Sequence, residues 1–205
     1  IKLGLEFFGA NGPQGYKEVI KANQNIFLDL KLHDIPNTVA KTIHSLMRLH
    51  PKIMTIHTAG GYAMMVAAAN AATEAAAQEC CPRPLIVGVT ILTSLDEADL
   101  TAIGYQDSLP NQVLKMAKLA KKSGLDGVVC SPHEIELIRD TCGPDFKLVV
   151  PGIRPAGSRK GDQKRVMTPK EAINLGADFL VIGRPITQAD DPVAAVRAIV
   201  EEINS

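Results

Sequence analysis

Short apolar, β-branched runs recur along the chain, each followed by a longer stretch whose apolar positions repeat with helical spacing. Residues 1–5, 26–31, 53–57, 85–92, 127–131, 147–151 and 179–183 read as strands. Helical patterns fill the intervals, clearest at 38–50, 62–78, 111–123, 132–140, 169–175 and 192–203. Such alternation implies parallel strands joined by helical crossovers. With no long linker, low-complexity tract or composition break, a single domain spanning 1–205 is expected.

In nearly every repeat the polar residues and glycines gather just after the strand, at 31–38, 57–61, 93–94, 152–163 and 183–188. A doubly wound sheet can hold seven strands. An α/β (β/α)8 barrel of TIM type fits better, because barrels keep their chemistry at the C-terminal strand ends and begin at roughly 200 residues. The sequence opens without Met inside a strand, so the expectation is an N-terminally incomplete barrel whose first strand precedes Ile1.

The most informative stretch is Ile26-Phe27-Leu28-Asp29-Leu30-Lys31-Leu32-His33-Asp34-Ile35-Pro36-Asn37-Thr38. Strand alternation puts Ile26, Leu28 and Leu30 on one face and Phe27, Asp29 and Lys31 on the other. Asp29 and Lys31 then point into the barrel mouth, where unpaired charges are costly. Pro36 disfavours helix at Ile35 and leaves Asp34 on the following loop. A paired bridge that merely lines the barrel is the bland alternative. Against it, Lys2 sits on the preceding strand, so Lys2, Asp29, Lys31 and Asp34 can form one array of alternating charge.

A second constellation combines Pro151-Gly152-Ile153-Arg154-Pro155 and Gly161-Asp162-Gln163 with Ile182-Gly183-Arg184-Pro185. Loops after a barrel's last strands often hold phosphate on backbone N–H groups and a short helix N-terminus. Arg154 and Arg184 offer forked donors. An ordinary Gly-Pro turn with a surface Arg explains either loop alone; two on adjacent strands favour a phosphorylated ligand. Ser94 and Glu97 fit a capping box, and Thr93-Ser94 can equally donate to a ligand. His57, at a strand end, reads first as a hydrogen-bonded structural residue.

Composition narrows the classes. Lys+Arg and Asp+Glu both number 22, so formal charge is zero and nothing favours nucleic acid. Hydrophobic residues at 46% argue for a real core and against disorder. The uncharged stretch 53–73 is broken by His57, Gly60, Gly61 and Asn70, so it reads as strand, turn and helix rather than a membrane span. No leader pattern opens the chain. The four cysteines lack metal-ligand spacing and read as free thiols of a cytoplasmic protein.

Together these segments resemble the bacterial type of orotidine 5′-phosphate decarboxylase over essentially the whole chain. The resemblance rests on Asp29-x-Lys31-x-x-Asp34 with its Ile35-Pro36-Asn37-Thr38 continuation, and on Leu92-Thr93-Ser94, 124–131, Pro151–Pro155 and 183–187. It implies a homodimeric barrel converting orotidine 5′-monophosphate to UMP and carbon dioxide, without metal or organic cofactor. By the same resemblance Lys31 is the proton donor to the ring carbon, Asp29 lies against the departing carboxylate, and Lys2 sits between Asp29 and the ribose. Asp34 enters the neighbouring subunit's site. Thr93 and Ser94 bind the pyrimidine; Arg154, Gln163, Gly183 and Arg184 hold the phosphate, with 152–163 as a closing loop. Ile35, Thr38 and Pro151 complete the substrate contacts, and a ribose-binding Asp belongs on the strand before Ile1. Two alternatives remain: a Mg²⁺-dependent sugar-phosphate decarboxylase or aldolase of the same barrel superfamily, and a phosphate-binding barrel without catalysis.

Overall fold

The computed structural model describes residues 1–22, 25–155 and 167–205. The described chain divides into two compact units, residues 1–89 with 119–127, and residues 90–118 with 128–205. All seven expected strands are present, and the strand pairings below are parallel.

The first unit contains β1 (Lys2–Gly4), α1 (Leu5–Ile20), β2 (Phe27–Leu32), α2 (Pro36–Met47), β3 (Ile53–His57), α3 (Gly61–Gln78) and β4 (Leu85–Val89). Its strands pair in chain order. On α2, Val39, Ile43, Leu46 and Met47 are buried, the spacing of a single helical face. They meet an alanine-rich α3 whose buried residues include Met64, Met65, Ala68, Ala72 and Ala75. Small alanines let the two helices approach closely, while the methionines fill the remaining gaps. Pro36 occupies the first turn of α2, where its missing N–H costs nothing, and Ile35 before it is extended, as the sequence requires.

The second unit holds α4 (Glu97–Ala102), most of α5 (Leu109–Lys122) and of β5 (Gly127–Val129), α6 (Ile135–Cys142), β6 (Lys147–Val150), α7 (Pro169–Asn174), β7 (Phe179–Leu180), α8 (Arg184–Thr187) and α9 (Pro192–Asn204). Leu148, Val149 and Val150 are fully buried, the continuous apolar run expected of a strand covered on both faces. Ile135, Ile138 and Cys142 form the buried stripe of α6.

Helices α1, α4 and α2 are among the elements that differ from the sequence expectation. Helix α1 lies where no helix is expected, because Gly9, Gly12, Pro13 and Gly15 break the pattern; the chain kinks at Gly12, whose φ of 56° combined with a ψ of −159° suits only glycine. Helix α4 is capped by Asp96, whose carboxylate accepts the Ala98 and Asp99 N–H groups while Asp99 reaches back to the Asp96 N–H. The box therefore starts two residues after Ser94 and does not use Glu97. Helix α2 starts two residues earlier than expected and ends at Met47, before His50 takes a left-handed φ of 51°. None of the four cysteines forms a disulfide. No helix among the described residues is long and apolar enough to cross a membrane.

Candidate active site

The first unit brings three of the four array charges together. Lys2, on β1, donates its ammonium to Asp29 Oδ2 at 2.8 Å. Lys31 donates to both Asp29 oxygens at 2.9 Å. Asp29 is only 6% exposed, whereas the Lys2 and Lys31 side chains are 36% and 28% exposed. Burial alone pushes the Asp29 carboxyl up, but the hydrogen bonds and charges of Lys2 and Lys31 outweigh it and hold the group below the usual carboxylate range. The result is a buried, ionised carboxylate with two cations whose heads remain within reach of a ligand.

Simple alternation does not produce this geometry. From Leu28 to Leu32, β2 advances four residues while β3 advances two, from Met54 to Ile56. Asp29, Leu30 and Lys31 therefore lie opposite Thr55 alone, and Lys31 adopts a φ of 50°. Such a bulge re-aims side chains and is common beside functional sites. Thr55, 1% exposed, donates its hydroxyl to Asp29 Oδ1 at 3.0 Å and accepts the Lys31 N–H at 2.9 Å. The sequence expectation did not include Thr55; its only signal is a hydroxyl inside the apolar run Ile53-Met54-Thr55-Ile56.

Asp34 does not join the cluster. It is exposed, and its carboxylate accepts the N–H of Ile35, itself 65% exposed. Thr38 is exposed too, and lines an open groove of about 460 Å³ on α2 with Asn37, Lys41, Thr42, Ser45 and Leu46. His57 is half-buried with its ring 5.4 Å from that of His33 at 36°, so its partner is an aromatic ring. Burial first, then the His33 and Lys31 charges, lower its pKa, while Asp29 opposes them.

In the second unit Thr93 is half-buried and Ser94 exposed, just before α4. Pro151 is half-buried, and Gly152 follows with a φ of 81° that favours glycine. Arg154 is buried, donating its guanidinium to the Ile153 carbonyl at 2.8 Å, and its N–H pairs with the Met167 carbonyl. Gly183 and Arg184 are exposed at the start of α8. Gln163, and the expected closing loop beyond Pro155, lie outside the described residues. No group of three or more His, Cys, Asp or Glu suited to a metal occurs among the described residues.

Comparison with known proteins agrees with the motif reading. The chain is 55% identical over 204 residues to an orotidine 5′-phosphate decarboxylase of Moorella thermoacetica, covering 99% of this chain and 81% of the relative. It is 54% identical to the corresponding protein of Paramagnetospirillum magneticum, covering 99% and 86%. The crystal structure of orotidine 5′-phosphate decarboxylase from Lactobacillus acidophilus superimposes with a TM-score of 0.86 at 39% identity, covering all of this chain and 86% of the other. The sequence model of the orotidine 5′-phosphate decarboxylase / HUMPS family matches residues 1–199, and the chain belongs to that family.

Proposed function

We propose that this chain decarboxylates orotidine 5′-monophosphate to UMP and carbon dioxide, the last step of de novo pyrimidine synthesis. It does so as one catalytic domain with the architecture of a cytoplasmic (β/α)8 barrel. The observation that carries this reading is the Lys2–Asp29–Lys31 cluster on adjacent strands.

Loss of carbon dioxide from the pyrimidine ring leaves an electron pair on a ring carbon that has no imine to receive it. A fixed ammonium beside that carbon stabilises the developing charge and then supplies the proton. Lys31 has both charge and proton, and Asp29 fixes its position through two bonds. Asp29, ionised at neutral pH, lies against the substrate carboxylate, a like-charge contact relieved as neutral carbon dioxide departs. Lys2 offsets the Asp29 charge and reaches toward the ribose. Thr93 and Ser94 bind the pyrimidine, with Ile35, Thr38 and Pro151 as further contacts. Arg154, Gln163, Gly183 and Arg184 hold the phosphate, whose remote binding energy helps to order the reacting end.

The exposed Asp34–Thr38 edge supports a homodimer in which Asp34 serves the partner's site. The sugar-phosphate alternative needs acidic oxygens open to Mg²⁺, yet both Asp29 oxygens already accept ammonium donors.

The test follows the orotate absorbance of orotidine 5′-monophosphate in EDTA, for this protein and for Lys31→Ala. Loss of the chromophore with the unmutated protein alone is expected. Turnover by the Lys31→Ala protein at the unmutated rate removes Lys31 from the mechanism, and activity that needs divalent metal overturns the metal-free reading. Activity per subunit falls on dilution below the dimer's dissociation constant; constant activity overturns the shared site.

A further inference from the structure

We infer that Thr55 is a positioning residue for the reaction, acting through Lys31 and Asp29 rather than on the substrate. The inference rests on the proposed decarboxylase reading but comes from the bulge in β2. Three residues there face one residue of β3, and the backbone N–H of Lys31 bonds to the hydroxyl of Thr55. A hydroxyl has one proton and two lone pairs. Thr55 commits its proton to Asp29 Oδ1 and a lone pair to Lys31 N–H, so one side chain ties the backbone of the proton donor to the carboxylate that orients its ammonium.

The need for this tie follows from the Lys31 backbone. A φ of 50° is disfavoured for any residue with a Cβ and persists only where the surroundings over-determine it. Lys31 is followed by Leu32, which resumes pairing with β3 opposite Ile56. Thr55 is thus the contact that holds the looped-out residues between two fixed pairings. Relaxation of Lys31 toward extended backbone swings its Cα–Cβ bond and carries the ammonium away from its symmetric seat. Displacements near 1 Å cost about 10²-fold in rate when reacting groups must be aligned.

Two substitutions separate the hydroxyl from the space it fills. Thr55→Val keeps the branched shape and removes both hydrogen bonds; Thr55→Ser keeps the hydroxyl and loses a methyl. For Thr55→Val, kcat per folded molecule is expected to fall about 10²-fold with little change in KM. Thr55→Ser should recover most of that loss. Hydrogen exchange of the Lys31 amide supplies a readout that does not depend on turnover: slow in the unmutated protein and Thr55→Ser, fast in Thr55→Val.

Unchanged kcat in folded Thr55→Val overturns the inference. So does a Thr55→Ser protein as slow as Thr55→Val, since the methyl would then be what matters. If Thr55→Val does not fold, Thr55→Ser still decides, because the hydroxyl alone must sustain near-unmutated kcat. An unmutated protein that leaves orotidine 5′-monophosphate intact, but shows the Thr55-dependent amide protection, defeats the decarboxylase reading while retaining the tie between Thr55 and Lys31.

Discussion

Asp29 and Asp178 are each clasped by two cationic side chains, yet they use their hydrogen bonds in opposite ways. Asp178, immediately before β7, accepts Arg139 at 2.7 Å, Lys147 at 3.1 Å and the Leu148 backbone N–H at 2.8 Å. The Arg139 guanidinium also donates to the carbonyls of Gly143, Pro144, Phe146 and Gly176. Five of these seven bonds end on a backbone group, so the two side chains staple separate stretches of backbone together. The Asp29 carboxylate takes these three partners from side chains, Lys2, Lys31 and Thr55. Each ammonium has three donors, and Lys2 uses one of its own on Asp29. The strand-entry carboxylate thus closes its network on the fold, whereas the carboxylate within β2 holds cations with donors to spare for a ligand.

Amide substitution at both positions breaks this comparison if it is wrong. Asp29→Asn keeps the shape but removes the charge that seats Lys31, and kcat should fall about 10²–10³-fold, as when one preorganised electrostatic group is lost. Asp178→Asn should leave kcat per folded molecule unchanged. Steady-state rates normalised to folded protein check both, and a large kcat loss at Asp178 would erase the distinction. Stability should follow the reverse order. Asp178→Ala leaves the Leu148 N–H unpartnered and takes the only carboxylate in this cluster from the half-buried Arg139, at a cost of about 2–3 kcal/mol. That corresponds to a Tm lower by roughly 5–10 °C, readable by thermal unfolding.

Acid sharpens the contrast. Both carboxyls have folded pKa values below 3.8, so the unfolded chain binds their protons more tightly than the fold does. For each, burial works against the shift and is outweighed: by Lys2 and Lys31 at Asp29, and by the Leu148 N–H, Arg139 and Lys147 at Asp178. The stabilisation is fully present above 3.8 and is lost as pH falls through the lower folded values. Asp178→Asn should therefore flatten the acid limb of stability against pH, and an unchanged limb would mean that other groups govern acid unfolding.

The two regions also differ in how readily the sequence reveals them. The seven strands are legible because β-branched runs and turn residues are local signals. The Lys2–Asp29–Lys31 grouping is legible because charges in an apolar strand demand partners. The bulge is not, since a register shift depends on the partner strand's length between pairings, and Thr55 becomes visible only with it. The Asp178 staple had a sequence trace that the strand reading passed over. Gly124-Leu125-Asp126-Gly127 and Gly176-Ala177-Asp178-Phe179 repeat one pattern, and Asp126 likewise accepts Arg83 and the Ile86 N–H just before β5. Helix α1 stayed hidden because its glycines and proline oppose helix locally and tertiary packing overrides them; Tyr16, for instance, is fully buried there.

The smallest expected effect lies at His57, where the first cluster's charge reaches a neighbouring ring. Its folded pKa is below 6.5, from burial first and then from the His33 and Lys31 charges, with Asp29 pulling the other way. His57 is therefore neutral at pH 7, and any stability tied to that neutrality is present above 6.5 and lost as pH falls through the folded value. Titration of His57 by NMR should place its midpoint below 6.5. The Lys31→Ala protein should raise that midpoint, because one of the charges that oppose protonation is gone, whereas Lys147→Ala, in the Asp178 staple, should leave it in place. A midpoint that ignores Lys31 would show the cluster's charge to be screened before it reaches His57. The spare donors of Lys2 and Lys31 would then have to act on a ligand through direct contact alone.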